Sequence, residues 1–204
     1  VLKLVENLSA GALFIHANAM QEALQPEGTP EFRGALKALE KLCRKSPVPV
    51  VLKETGCGFS LATIQRVKNI GLAALDVSGY GGTHWGRIEG GRAEKQSLQA
   101  QGALTFAGWG ESTVDSLANA VRAKGKLEIW ASGGIRSGLD AAKALALGAR
   151  RVGFAKPALE AALLGEEALG QWMSQMEFEL KVALFCTGSE SPEALRKAKR
   201  WRRI

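Results

Sequence analysis

Short strand-like runs alternate along this chain with amphipathic helical segments, and that rhythm restricts the fold more than any other feature. The runs are Ala12–His16, Pro49–Lys53, Ala73–Val77, Glu128–Ala131 and Arg151–Phe154. Each is short, apolar and bounded by turn residues, as a strand buried in a parallel sheet should be. Between them the spacing predicts helices over Phe32–Leu42, Leu61–Ile70, Val114–Ala123 and Leu139–Leu147, with a long closing helix over Glu166–Thr187 and a shorter one from Pro192. Phe32, Leu36, Leu39 and Leu42 form one stripe. Ser60, Ser112 and Thr113 are N-cap residues, and Gly148 is a C-terminal stop. The opening VLKLVENL reads as a helix already under way, and Val1 in place of Met suggests a fragment or a processed product.

Repeated strand–helix units imply a parallel sheet covered by helices. Five units suit a doubly wound sheet, whereas a closed (β/α)₈ barrel needs eight and is typically about 250 residues long. Every run ends in polar or glycine residues, which is the active edge of either architecture. Pattern alone leaves both open. Residues 87–110 are polar, glycine-rich and weakly periodic, and are expected to form the longest loop, a lid or an oligomer contact.

The 204 residues are enough for one domain with a sizeable core, and 46% apolar with 23% charged content is ordinary for a globular protein. No apolar run has membrane-spanning length and no secretory signal is visible, so no membrane partner is expected. Cys43, Cys57 and Cys186 are far apart and form no CxxC, which argues for a reducing cytoplasm and against a disulfide framework. Only His16 and His84 accompany them, so a structural zinc site is not expected. The net charge of +7 is concentrated in a tail carrying Arg196, Lys197, Lys199, Arg200, Arg202 and Arg203. Such a tail could bind nucleic acid. Without an aromatic platform or a nucleic-acid motif, cations complementing the negative end of a final helix are the better reading.

The strongest chemical signal is ASGGIRSGLDAAKALAL, Ala131–Leu147. A strand stops at Gly133 and Gly134 and a helix follows. Glycines let backbone N–H groups approach an anion, and a helix start adds partial positive charge. The next strand ends at Ala155 and Lys156, with Pro157 opening another helix. Barrel enzymes often bind phosphate between the loops after their last two strands. On that reading three βα units precede Val1. The stretch resembles the phosphate loop of FMN-dependent barrels in general.

Three further stretches carry candidate site residues. In HANAMQEALQPEG, His16, Asn18, Gln21 and Glu22 follow a strand, an amide beside a carboxylate that could orient a substrate and hold a hard cation. A plain capped helix start is the alternative. In VVLKETGCGFS, Lys53 stands at a strand end where it could face a flavin ring edge. In DVSGYGGTHW, glycines allow close approach and Thr83 offers a hydroxyl.

Taken in order, HxNxxQE, KExGxG, GxGGTxW and ASGGIRxGLDxAKALALGA resemble the type 2 isopentenyl-diphosphate isomerases. Trp109-Gly110 before Thr113 and the helix ELKVALFCTG, Glu179–Gly188, add to the likeness, which runs from about Leu13 to Gly188. The resemblance implies a TIM (β/α)₈ barrel of which residues 1–204 supply about the last five βα units of a single FMN-binding domain. It implies FMN, Mg²⁺, NADPH as reductant, a small diphosphate substrate and a homo-oligomer. The reduced flavin would shift a double bond by acid–base chemistry. By the same resemblance Gln21 is the catalytic, substrate-contacting residue, Glu22 the Mg²⁺ ligand, and His16 and Asn18 lie on the diphosphate side. Lys53, Thr83 and Ser78 would contact FMN, and Gly133, Gly134, Arg136, Ala155 and Lys156 would hold its phosphate.

The family's opening Arg-Lys motif and its Met-Thr-Gly-Gly-type strand do not occur in the chain, and Lys156 replaces a usually small residue. The 204-residue chain alone is therefore expected to be inactive. Two rivals remain: an FMN-dependent α-hydroxyacid oxidase or dehydrogenase, and a non-catalytic degenerate barrel. The first wants a histidine ahead of the loop glycines, as in SNHGGRQ, where this chain has SGYGGTHW.

Overall fold

A computed structural model describes residues 1–123, 125–198 and 201. The elements run α1 (Leu2–Asn7), β1 (Leu13–His16), α2 (Ala19–Leu24), α3 (Ala35–Lys45), β2 (Val50–Lys53), α4 (Leu61–Val67), β3 (Ala74–Asp76), α5 (Trp85–Arg92), α6 (Leu98–Thr105), α7 (Thr113–Ala123), β4 (Glu128–Ala131), α8 (Gly138–Leu147), β5 (Arg151–Val152), α9 (Lys156–Leu163), α10 (Glu166–Cys186) and α11 (Pro192–Ala198). All five expected strands are present, trimmed by turn residues. Ser60 accepts from the Thr63 amide, Ser112 Oγ from the Asp115 amide, and Gly148 ends α8 at φ 124°, as the sequence suggests, whereas Thr113 is the first residue of α7 and turns its hydroxyl to the Gly133 carbonyl.

The five strands pair in parallel in chain order, β1 to β5. A doubly wound sheet reverses its strand order at a switch point. This sheet never reverses, so it is an arc of a barrel. The register separates its two faces. Leu13, Ile15, Val50, Leu52, Leu75, Val77, Ile129, Ala131 and Val152 turn outward and join helix residues Ile64, Val67, Leu117, Ala120, Ala141, Ala144 and Met176 in one core. The opposite face carries His16, Lys53, Asp76, Trp130 and Arg151 across one row of the register. Phe14 contacts the Trp130 ring, and Arg151 lies over that ring at 5.5 Å, on this same concave side. Polar residues line it because it is the inside of the arc, where a ligand rather than a helix belongs.

Two expectations are corrected. The third helix starts at Ala35, not Phe32, because Gly34 adopts a left-handed conformation (φ 79°) and Arg33 folds back on Glu31. Residues 87–110 are not one loop but carry most of α5 and all of α6. Glycines hid them: a Cβ on Gly90 would lie 2.3 Å from the Ala103 Cβ, so Gly90 is what lets the two helices touch. Of the basic tail, Arg196 and Lys197 lie on α11, where Lys197 pairs with Glu193 at 2.8 Å. Lys199, Arg200, Arg202 and Arg203 lie outside the described residues.

No helix among the described residues is long and apolar enough to cross a membrane.

Candidate flavin and diphosphate site

The C-terminal ends of β1, β2 and β3 bring His16, Lys53 and Asp76 side by side. Lys53 Nζ donates to Thr55 Oγ1 at 2.5 Å and to the Glu54 carbonyl at 3.2 Å. Ser132 Oγ lies 2.9 Å from both Asp76 carboxylate oxygens. Burial raises the Asp76 pKa, opposed by the Ser132 bond and by Lys53. His16 is held below the ordinary histidine value by partial desolvation and then by Lys53, with Glu22 pulling the other way. Near neutral pH this favours an uncharged imidazole beside a cation.

Directly after β1, Asn18 caps α2. Its Oδ1 accepts from the Gln21 amide at 2.8 Å, and its Nδ2 donates to the Thr55 carbonyl at 2.9 Å. Asn18 is 4% exposed. Both ends of its side chain are engaged in holding α2 against the β2 turn. Gln21 Nε2 reaches Glu89 Oε1 at 3.3 Å, and Arg92 Nη1 donates to Glu89 Oε2 at 2.8 Å. Glu22 is half-buried and accepts from the Thr29 amide at 2.9 Å.

The glycine loops form the other half. Gly133 and Gly134 have φ 85° and 83°. A Cβ on Gly133 would lie 2.7 Å from Ser78 Oγ, and one on Gly134 would lie 2.9 Å from the Gly81 carbonyl oxygen. A Cβ on Gly82 would lie 2.6 Å from the Gly134 nitrogen. The β3 and β4 loops therefore meet backbone to backbone. Among the described residues the Gly133 and Gly134 amides donate to no protein acceptor, which is what an anion cradle requires. Thr113 Oγ1 donates to the Gly133 carbonyl at 2.8 Å and fixes the cradle from below. Arg136 bridges the loops, its Nη2 on the Gly81 carbonyl at 2.8 Å and Nη1 on that of Gly134 at 3.3 Å. A Cβ on Gly153 would stand 3.2 Å from the Ser132 Cβ, so the β5 loop abuts the same place. Ala155 precedes α9 there. Ser78 is buried under Gly133, and Thr83 is exposed at the rim. Lys156 points outward along α9 and pairs with Glu160 at 3.5 Å.

The observed cradle fits a phosphate of the FMN kind: positive-φ glycines with free amides, a nearby guanidinium and no room for side chains. The metal side is sparser. Among the described residues no group of three or more His, Cys, Asp or Glu side chains clusters. Glu22, half-buried beside the strand ends, is a carboxylate that could take a Mg²⁺ ion together with substrate oxygens and water. A separate concavity lies below the starts of β3 and β4, lined by Lys68, Asn69, Leu72, Lys126 and Leu127 among the described residues. It is an open groove without carboxylate or histidine and lies at the wrong end of the strands for barrel chemistry.

Two residues were missed from sequence. Glu89 was obscured with its helix. Glu54 stood in view beside Lys53, but only the structure shows it buried at 2% exposure. His84 Nδ1 accepts from the Arg87 amide and caps α5, while its buried Nε2 has no hydrogen-bond partner among the described residues.

The sequence profile of the FMN-dependent dehydrogenase family matches residues 15–202. An isopentenyl-diphosphate delta-isomerase of Bdellovibrio bacteriovorus is 51% identical over 199 residues, 98% of this chain and 57% of that protein. One from Legionella pneumophila (strain Corby) is 55% identical over 192 residues, 93% and 55% respectively. The chain thus spans about half the length of the curated relatives it matches. Among solved structures, a Pediococcus acidilactici lactate oxidase superposes with TM-score 0.70 at 17% identity, covering 96% of this chain and 55% of that one. A mandelate oxidase superposes with TM-score 0.65 at 24% identity, covering 96% and 57%. These last two likenesses show the partial TIM-barrel fold.

Proposed function

The chain belongs to the FMN-dependent dehydrogenase family, and from that premise we propose that the protein carrying it interconverts isopentenyl and dimethylallyl diphosphates. The observation that carries this reading is the placement of Gln21 and Glu22 on a capped helix at the strand ends that also hold Lys53 and, across the arc, the glycine cradle. The named relatives at 51% and 55% identity support it.

On this reading Gly133, Gly134, Arg136 and Ala155 hold the FMN phosphate, and Lys53, Ser78 and Thr83 take the ring side. Lys156 adds long-range positive charge only, because its ion pair with Glu160 turns it away. Bound in its reduced form, FMN supplies the proton donor and acceptor for a double-bond shift with no net redox change, NADPH serving to reduce it. Gln21 is held by Glu89, with its carbonyl left to orient the substrate. Glu22 holds Mg²⁺, which neutralises the diphosphate. His16 and Asn18 lie on the diphosphate side, Asn18 acting there through the helix it caps. The proposal extends to a reducing cytoplasm, consistent with three free cysteines, and to a homo-oligomer with no nucleic-acid partner.

The oxidase reading needs a free histidine base on the β3 loop. His84 follows the loop glycines instead of preceding them, is 6% exposed and caps α5 through Nδ1, which favours the isomerase. The test is turnover of isopentenyl diphosphate by the full-length protein with FMN, Mg²⁺ and NADPH. Oxidation of lactate or glycolate in place of isomerisation overturns the proposal.

A further inference from the structure

We infer that Glu54 is a positioning residue for Lys53, fastening the turn on which the Lys53 ammonium rests. The inference depends on the flavin reading of the site above. Lys53 Nζ is held by two atoms, the Glu54 carbonyl and Thr55 Oγ1, and both belong to the turn that follows β2. The direction of that turn is set by the Glu54 side chain. Its Oε2 accepts from the Cys57 amide at 2.5 Å and from the Gly58 amide at 3.0 Å, closing the chain back on itself.

The turn also ties together the rest of the site. The Gly56 and Gly58 amides donate to the Ser78 carbonyl at 3.0 and 3.2 Å. The Cys57 carbonyl accepts from the Glu111 amide at 2.8 Å, and the Thr55 carbonyl from Asn18. Gly56 packs so closely on Thr83 and His84 that a Cβ there would lie 2.7 Å from the His84 Cα. Backbone atoms of the turn thus anchor it separately to the β1–α2, β3 and α6–α7 connections, and the carboxylate closes only its tip, next to Lys53.

Stability alone does not ask for a carboxylate here. Glu54 is 2% exposed, and its Oε1 has no hydrogen-bond partner among the described residues. A buried carboxylate with one oxygen unpartnered is a costly group, and an apolar side chain commonly serves a fold as well or better. Lys53 and Cys57 are the other titratable groups at the carboxylate, and the Asp76 carbonyl accepts the Glu54 amide from β3. Nothing in this set neutralises Glu54 through a direct ion pair. Its return is geometric: it holds the atoms that hold Lys53.

The experiment is a double-mutant cycle on the full-length protein, with the FMN dissociation constant read from quenching of flavin fluorescence. Lys53→Met and Glu54→Ala are each expected to weaken FMN binding about tenfold, the loss of one well-placed polar contact. Acting through Lys53, Glu54→Ala should weaken the Lys53→Met protein by no more than about twofold. Glu54→Gln, whose amide oxygen can take both turn amides, should stay within about threefold of wild type. If Glu54→Ala does not fold, Glu54→Asp replaces it in the cycle, since it keeps the charge but withdraws the oxygens from Cys57 and Gly58. Wild-type affinity in the Glu54 variant, or losses that multiply in the double variant, overturns the inference while leaving the flavin reading intact. A wild-type protein that binds no FMN overturns both.

Discussion

Gln21 and Glu22 are adjacent in sequence yet point in different directions, because each residue step along a helix turns the side chain by about 100°. Gln21 faces α5 and is held by Glu89; Glu22 faces the 25–29 turn. Gln21→Ala should therefore lower kcat of the full-length enzyme by about 10² with little change in FMN affinity, since it removes an orienting contact. Glu22→Ala should instead raise the Mg²⁺ concentration needed for half-maximal rate by about tenfold. A Glu22 variant with an unchanged Mg²⁺ requirement contradicts its role. Glu54 makes a prediction of another kind. Burial raises its pKa from 4.5 to about 7, against four smaller opposing effects. A raised carboxyl pKa means that the folded state prefers the protonated form. Stability is then fullest below about pH 4.5 and declines as pH rises toward 7, by about 3 kcal/mol at most for this group. Urea unfolding of wild type and Glu54→Gln at pH 5 and pH 8 should show a decline in the first that is smaller in the second.

At the scale of elements, the strands and most helices were legible because their signals are local. Ser60 and Gly148 mark helix ends by chemistry that needs no tertiary partner. The α5–α6 excursion was not legible, for the same reason inverted: its glycines look like loop and act as contact surface. Gly90 seats Ala103, and Gly86 lies against Met20 on α2. Glu89 was lost with it, although a buried glutamate was foreseeable once Gln21 needed a partner. The glycine turn at Gly133 and Gly134 was legible as a place where the backbone is laid open. Its second wall at Gly81–Gly82 was seen only as a place of close approach, because backbone contact between two loops leaves no periodicity. The cradle predicts a sharp intolerance. Gly134→Ala forces a Cβ to within 2.9 Å of the Gly81 carbonyl at φ 83°, which should cost about 1–3 kcal/mol of stability. The same change should abolish measurable FMN binding at micromolar flavin. Gly91→Ala, where a Cβ would meet nothing within 4 Å, is the control and should leave flavin binding intact.

At the scale of the molecule, the decisive fact is strand order. Polar strand ends by themselves left a doubly wound sheet and a barrel open; the family resemblance pointed to the barrel, and the unreversed order β1 to β5, with the core on one face, bears it out. That order could not be read from sequence because strand pairing is a contact between distant residues. It also has an energetic consequence. In the five-stranded arc β1 and β5 are edges, each with a row of backbone donors and acceptors facing outward. The concave face leaves Phe14 47% exposed with Trp130 and Arg151 beside it, and α10 presents Phe178 and Phe185 at 67% and 87% exposure. Apolar surface of this extent on a single chain favours association. The cradle residues all lie within the arc, but a flavin ring seated over the row from His16 to Trp130 would have protein on one side only. The 204-residue chain by itself should therefore bind FMN at least about tenfold more weakly than the full-length protein, as expected for losing one or more well-formed contacts. It should also sediment as a mixture of associated species. A monomeric, yellow, catalytically active 204-residue chain would show that the arc needs no further cover, and that its polar concave row is a finished surface rather than half of one.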